Sequence, residues 1–378
     1  MSDETRVYLD NAATTRVRPE VFDAMRLVLC EEYGNPSSIH REGQRAKRLL
    51  EDSRERIAAC LGCSPDELFF TSGGTESDNW AVRSASASCS DKRHIITSAI
   101  EHPAVLNSCR QLEKEGYKVS YLPVDRYGLV SPDSLEKALT KDTSLVSIML
   151  GNNEIGTLEP IRELAEITHE YGVLFHTDAV QAVGTIPVNV SELGVDLMSF
   201  SAHKFYGPKG VGGLYVRKGV KLLPYIYGGA QERSSRAGTE NLPAIYGMAE
   251  ALDLAVSEIE ATEKRIRFLR DLLLEKVRKV SANVILNGHE TRVLPGIVNL
   301  TFPGVDGEKL LLLLNYEGFA CSGGAACSSK DAGTSHVLTS IGLSEKDAKS
   351  SIRVSIGVDN TEEEIDHFVA ALCKILNH

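Results

Sequence analysis

From about residue 37 the apolar positions Ile39, Ala46, Leu49, Leu50, Ile57 and Leu61 fall at helical spacing with charges between them, which predicts an amphipathic helix. Ser64-Pro65-Asp66-Glu67 then offers an N-cap, a proline at the first helical position and the glutamate of a capping box. The short apolar run 68–70 predicts a strand, and a Gly-rich turn follows at 72–75. Further strands are predicted at 94–97, 118–122, 145–150, 174–176, 197–200 and 213–216, mostly with helix-length segments between them. Alternation of this kind predicts an α/β fold with a mostly parallel sheet covered on both faces.

After Pro243 the pattern changes to one long helical stretch, about 244–279, rich in Leu, Glu, Lys and Arg. Beyond it come predicted strands at 284–286 and 298–302, a helix at 307–316, a Gly/Ser-rich loop and a strand at 351–355. A terminal helix is opened by the capping box Thr361-Glu362-Glu363-Glu364. This second part reads as a smaller α+β domain, and the chain shows neither an internal repeat nor a low-complexity segment.

The chain has 378 residues, 42% of them apolar and 25% charged, enough for a sizeable core in more than one domain. A net charge of −11 with no long Lys/Arg run disfavours nucleic acid or an anionic membrane as partner. The greasiest stretch, 310–314, is far too short to span a bilayer, and Met-Ser-Asp-Glu-Thr-Arg does not read as a secretory signal. Eight thinly spread cysteines suit a reducing compartment, so a cytoplasmic protein acting on a small molecule is expected.

Open parallel sheets bind ligands beyond the carboxyl ends of their strands. Four places there carry chemistry. Ser72-Gly73-Gly74-Thr75-Glu76 is a strand-to-helix turn whose amides could hold a phosphate, though it lacks the Gly-Lys-Ser/Thr of a nucleotide loop. Asp178 closes one apolar strand, and Lys204, 26 residues later, closes the next within Ser201-Ala202-His203-Lys204. His102 follows another strand in Ile100-Glu101-His102-Pro103. Each alone fits an ordinary structural role, as a turn, a cap or a satisfied core histidine. Together, a phosphate turn, a strand-end aspartate and a strand-end lysine have one chemical meaning, pyridoxal 5′-phosphate: the lysine for a Schiff base, the carboxylate to keep the pyridine nitrogen protonated, the turn for the phosphate.

At this point the chain resembles the cysteine desulfurases of the NifS/IscS type, within the class V aminotransferase group of fold-type I pyridoxal phosphate enzymes. The resemblance runs from Tyr8-Leu9-Asp10-Asn11-Ala12-Ala13-Thr14-Thr15 through Gly34-Asn35-Pro36-Ser37-Ser38, Thr71-Ser72-Gly73-Gly74-Thr75-Glu76, Asn152-Asn153-Glu154-Ile155-Gly156, Ser201-Ala202-His203-Lys204 and Arg236-Ala237-Gly238-Thr239 to Ser350-Ser351-Ile352-Arg353. It implies a PLP-dependent transferase of fold type I, with a large cofactor domain over 15–260 and a small domain from 1–14 and 261–378. It implies Lys204 as the Schiff-base lysine, Asp178 on the pyridine nitrogen, Gln181 facing the ring hydroxyl and His102 stacked on the ring. Gly74, Thr75, Ser201 and His203 match the phosphate contacts, and Thr239 matches one that reaches across from the second subunit of a homodimer. Asn153 and Arg353 match the groups that hold the substrate carboxylate, where a guanidinium fork suits two oxygens.

Cys321-Ser322-Gly323-Gly324-Ala325-Ala326-Cys327-Ser328-Ser329 is a small-residue loop that could scarcely pack as core, and it reads as mobile. By the resemblance Cys327 is the nucleophile that takes sulfur from L-cysteine, leaving alanine and a protein persulfide. Its thiol needs a cationic neighbour or help from His102 to ionise, and a mobile loop lets it visit both the ring and an outside acceptor. The motif here is Ser-Gly-Gly-Ala-Ala-Cys rather than the usual Ser-Gly-Ser-Ala-Cys, with an extra Cys321 whose fates, inert thiol, sulfur relay or disulfide partner of Cys327, all stay open. The lone Cys60-Leu61-Gly62-Cys63 reads as helix packing rather than a zinc site.

The expected acceptor is an iron–sulfur scaffold or a thiolation protein. The chain stops at His378, short of the tail with which one branch of the family docks its scaffold, which leaves the choice of partner open. Two other readings compete with desulfuration. One keeps the cofactor but makes the chain a selenocysteine lyase or another class V lyase or aminotransferase. The other is a non-enzymatic thiol or metal-binding protein.

Overall fold

In the computed structural model the described residues are 6–88, 91–323 and 334–377. The chain enters through a two-residue strand β1 (Val7–Tyr8) and then forms the helices Pro19–Cys30 and Arg41–Leu61. The second starts four residues later than the periodicity predicts, because His40 sits extended as its N-cap, its ring accepting from Gly43 N, while Ile39 is left 94% exposed. The capping box at Ser64 and Glu67 forms as expected and opens a single 3₁₀ turn.

Seven strands then build the central sheet: β2 (Leu68–Thr71), β3 (His94–Ser98), β4 (Lys118–Leu122), β5 (Thr143–Ser147), β6 (Leu174–Asp178), β7 (Leu197–Ser201) and β8 (Gly212–Val216). Their order is β2-β8-β7-β6-β5-β3-β4. The five strands β4, β3, β5, β6 and β7 are parallel, while β8 runs antiparallel between β7 and β2. All five residues of β3, β5, β7 and β8 are buried, as a sheet covered on both faces requires. The largest apolar cluster joins Ile96, Val146, Phe175, Met198 and Phe200 to the helices on one face. Trp80, Val105 and Leu112 pack with Ile95, Leu145 and Leu197 on the other.

The long helix expected over 244–279 is two helices, Leu242–Ser257 and Ile259–Val280, meeting at Glu258. The first is apolar nearly all round and packs on the helices Pro19–Cys30 and Arg41–Leu61. The second turns an amphipathic stripe, Ile266, Leu269, Leu273 and Val277, into a different cluster. One straight rod cannot face both, and the bend falls at Glu258, whose carboxylate meets Arg18 at 2.7 Å.

That second cluster also contains Val7, Leu9, Val298, Leu300, Ile352, Val354 and Phe368. It is covered by an antiparallel sheet of β9 (Ile285–Asn287), β10 (Ile297–Thr301), β12 (Ser322–Gly323) and β13 (Ser351–Ser355). The strand β11 (Phe319–Ala320) pairs in parallel with β1. The small-residue loop is therefore not loose from its start: Cys321 is half-buried against this cluster, and Ser322 and Gly323 already pair with Arg353 and Ile352. The terminal helix Glu362–Leu376 carries the expected capping box. Among the described residues no helix is long and apolar enough to cross a membrane.

Candidate active site

The carboxyl ends of β6 and β7, the turn after β2 and the segment after β3 converge on one cleft of about 630 Å³. Gly74, Thr75, His102, Asn153, Asp178, Gln181, Ser201, His203, Lys204 and Arg353 all line it, so ten of the twelve residues expected at the site share one cavity. Thr239 is exposed and lies outside the cleft lining of its own chain. Cys327 lies outside the described residues.

Asp178 is the last residue of β6 and Ser201 the last of β7, so strand termination itself delivers them to the cleft mouth. Asp178 Oδ1 accepts from Val180 N at 2.9 Å. Burial pushes its carboxyl up, and the neighbouring His102 and Lys204 pull it back toward the charged form. Lys204 follows in the one-turn helix Ala202–Lys204, and its Nζ donates to the carbonyls of Ala12 at 2.5 Å and Ala13 at 2.9 Å. The Gln181 amide nitrogen donates to the same Ala12 carbonyl at 2.9 Å. Segment 12–13 thus holds two cleft residues at once.

The turn after β2 is shaped for a close neighbour. Gly73 has φ +146°, and a Cβ on Gly74 would come within 2.6 Å of Val180 Cγ2. Thr71 Oγ1 and Ser77 Oγ, 2.8 Å apart, brace the turn from behind. Glu76 accepts from Ser72 N at 2.8 Å and is gripped by Arg236 at 2.7 and 3.1 Å. A second hollow of about 440 Å³ opens over this turn, lined by Ser72, Gly73, Thr75, Ser201, His203 and Lys209. It sits at the N-terminus of the 15-residue helix Gly74–Ser88, where free amides favour an anion.

His102 caps the helix Pro103–Lys114: its Nδ1 accepts from Ala104 N at 3.1 Å, so the neutral ring carries its proton on Nε2. Burial lowers its basicity, Lys204 and His336 lower it further, and Asp178 opposes them. His203 is pushed down to about 4 by burial and by Lys204 and Lys209, and its Nδ1 lies 3.2 Å from Thr14 Oγ1. Arg353, only 2% exposed, arrives from β13: Nη1 donates to the Asn153 carbonyl and Nη2 to Asp10 Oδ1, both at 2.8 Å.

Several residues of the cleft escaped the sequence reading. Asp78 lines it one turn beyond Gly74. Glu154 also lines it and accepts from Ser335 Oγ at 2.5 Å. His336 enters from the far side of residues 324–333, its Nε2 donating to the Glu101 carbonyl at 3.0 Å. Asn152 shapes the turn that carries Asn153: its Oδ1 accepts from Glu154 N and Ile155 N, and its Nδ2 donates to the Ile100 carbonyl. Asp10, Asp78, Asn152 and Glu154 stand inside or beside motifs already noticed, so proximity to those motifs was the available signal. Cys60 donates to Asp253 Oδ1 at 3.2 Å, and Cys63 packs against the main core.

The donor set fits pyridoxal phosphate. An amine, a buried carboxylate facing cations, an imidazole and a helix N-terminus with a Cβ-free approach all address one cavity. Comparison with known proteins agrees. The protein is 52% identical to a cysteine desulfurase IscS of Dictyoglomus turgidum over 371 residues, covering 98% of this chain and 94% of that one. It is 49% identical to a cysteine desulfurase IscS of Methanosarcina thermophila, covering 99% and 93%. A solved NifS-like protein superposes with a TM-score of 0.93 at 42% identity, covering 99% of this chain and all of that one. The aminotransferase class-V family model matches residues 7–368, and the chain belongs to that family.

Proposed function

We propose that this protein is a pyridoxal phosphate-dependent cysteine desulfurase that converts L-cysteine to L-alanine and carries the sulfur as a persulfide on Cys327. The observation that carries the reading is the meeting of Lys204, Asp178, the Gly74 turn and Arg353 in one cleft, in a chain whose relatives at about half identity are cysteine desulfurases.

In this reading Lys204 tethers the cofactor, Asp178 pairs with its ring nitrogen, His102 covers the ring face and Gln181 meets the ring hydroxyl. Gly74, Thr75, Ser201 and His203 hold its phosphate. When bound, the cofactor supplies an electron sink for the substrate carbon from which sulfur departs. Arg353 and Asn153 orient the substrate carboxylate, and the half-buried Lys204 amine is placed to move a proton at the substrate carbon. His102, neutral with its proton on Nε2, is placed to exchange a proton with the incoming thiols. The Cys327 thiolate receives the substrate sulfur.

The division into a large domain over 15–260 bearing Lys204 and a small one from 1–14 and 261–378 bearing Arg353 is supported by the cluster around Val298, Ile352 and Phe368, which draws only on the latter segments. The main cluster lies mostly within 15–260 and takes in Ala12, Leu294 and Ile297 where the two parts meet. The exposed Thr239 suits a contact made across a homodimer, to the partner's phosphate site. The persulfide then passes to a sulfur-acceptor protein for iron–sulfur cluster assembly or thiolation, a chemistry suited to the reducing cytoplasm.

Incubation with cysteine tests the proposal. Stoichiometric alanine and a persulfide on Cys327, found by mass spectrometry, are expected, with sulfur transfer abolished in Cys327→Ala. Undiminished turnover in that variant would instead favour a lyase that does not use the thiol, and selenocysteine would then be the better substrate.

A further inference from the structure

Beneath the cleft lie charge-bearing groups that the reading above leaves idle. Asp78 stands on the helix Gly74–Ser88, 1% exposed, and lines the cleft beside Asp178. Among the described residues its Oδ1 has no hydrogen-bond partner. His176 lies two residues before Asp178 on β6, so both side chains leave the same face of the sheet. The His176 ring is held between Ser147 Oγ, 2.8 Å from Nδ1, and Ser199 Oγ, 3.0 Å from Nε2, and Nε2 stands 3.8 Å from Asp78 Oδ1.

Distance alone would make Asp78 and His176 an ion pair. Their surroundings argue against it. His176 is fully buried and pushed down to about 3, so it is neutral at working pH. Asp78 is pushed well up by burial and by the carboxyls it faces, Asp178 and then Glu101, with only the Ser199 hydroxyl to hold its charged form. Asp178 has the better company: His102, Lys204 and the Val180 amide all favour its ionised form. Two neighbouring buried carboxyls do not both ionise at neutral pH, and the charge settles on the one that faces the Lys204 ammonium and N–H groups.

We propose that Asp78 is a neutral carboxylic acid lining the cleft beside Asp178, a positioning residue that confines the negative charge of the ring-nitrogen site to Asp178 alone. The inference rests on the reading of Asp178 as the ring-nitrogen partner. It leaves Asp178 as the anion that faces a protonated ring nitrogen, with Asp78 beside it uncharged. It also gives the bound cofactor an alkaline transition, because loss of the Asp78 proton adds a second negative charge beside the ring.

The cofactor-free protein provides the first test. Infrared spectra of ¹³C-aspartate-labelled wild type at neutral pH should show the carbonyl stretch of a protonated aspartic acid, absent from Asp78→Asn and retained in Asp178→Asn. A wild-type spectrum without any label-sensitive acid band overturns the proposal without relying on a variant. The loaded protein provides the second. Asp78→Asn, neutral like the acid it replaces, should bind pyridoxal phosphate within about threefold of wild type, whereas Asp178→Asn should lose roughly tenfold or more. On raising pH, the visible spectrum of wild type should show a change that Asp78→Asn lacks, and identical titrations overturn the proposal. If Asp178→Asn leaves the cofactor spectrum and affinity unchanged, the reading of Asp178 fails and takes this one with it. If Asp178→Asn changes both while Asp78→Asn titrates like wild type, only the present inference fails.

Discussion

Arg353 Nη2 lies 2.8 Å from Asp10 Oδ1, so a guanidinium from the small antiparallel sheet is pinned by the amino-terminal segment, while its Nη1 reaches the Asn153 carbonyl in the large sheet's turn. Its Nε is buried and has no partner among the described residues, and the guanidinium lines the cleft, where it can meet a carboxylate. A lysine cannot reproduce two directed contacts and a fork. Arg353→Lys should therefore raise KM for cysteine roughly tenfold to a hundredfold, the equivalent of about 1.5–3 kcal/mol for a hydrogen bond to a charged group, with a smaller effect on kcat. Steady-state kinetics decide it, and an unchanged KM would remove Arg353 from substrate binding.

Replacing Lys204 by alanine removes the only amine among the residues placed at the cofactor. We expect a protein that loses pyridoxal phosphate on gel filtration and falls roughly a thousandfold or more in turnover, as for removal of a group that works as part of a unit. Retained colour and rate would sink the assignment.

Gly74→Ala places a methyl 2.6 Å from Val180 Cγ2. The strain should cost about 1–3 kcal/mol of stability and weaken cofactor binding by displacing the turn. Adding Val180→Ala should recover stability, which urea denaturation of the double variant measures.

Ser335 Oγ is the one side-chain donor to the buried Glu154 carboxylate among the described residues. Ser335→Ala should destabilise the fold by about 1–3 kcal/mol, the penalty for a stranded buried acceptor. In a Glu154→Gln background the same change should cost less, and a strictly additive double-mutant cycle would deny the coupling.

The pH dependence of stability follows from opposite shifts. His176 and His203 are held down to about 3 and about 4 from an ordinary 6.5, so their contribution is intact above 6.5 and drains away as pH falls toward those values. Glu101 and Glu159 are pushed up to about 8, and Glu154 to about 7, from 4.5, so their contribution is intact below 4.5 and drains away as pH rises toward those values. Melting temperature should thus peak in the weakly acidic range. Glu101→Gln should flatten the alkaline flank in calorimetry while leaving the acid flank in place.

Much of this site was legible because its key residues punctuate strands. Asp178 and Lys204 stand where apolar runs stop, and such stops in a parallel sheet share one edge. The antiparallel course of β8 was not legible, since a five-residue apolar run reads alike in either direction. Nor was the bend at Glu258, because helical period continues through it and only the two separate cores require it. Asp78 and Glu154 passed unnoticed because an acid on a helix or turn is ordinarily solvated. Their burial comes from groups distant in sequence, the β6 strand that carries His176 for Asp78 and Ser335, some 180 residues away, for Glu154.

The ribbon from Val7 to Thr15 serves as a handrail for both halves of the molecule. It pairs with Phe319 and Ala320, bridges Ser355 through Asp10, and offers two carbonyls to the Lys204 ammonium. A fusion partner butted against it, or trimming within it, would silence the enzyme without altering any group placed on the cofactor.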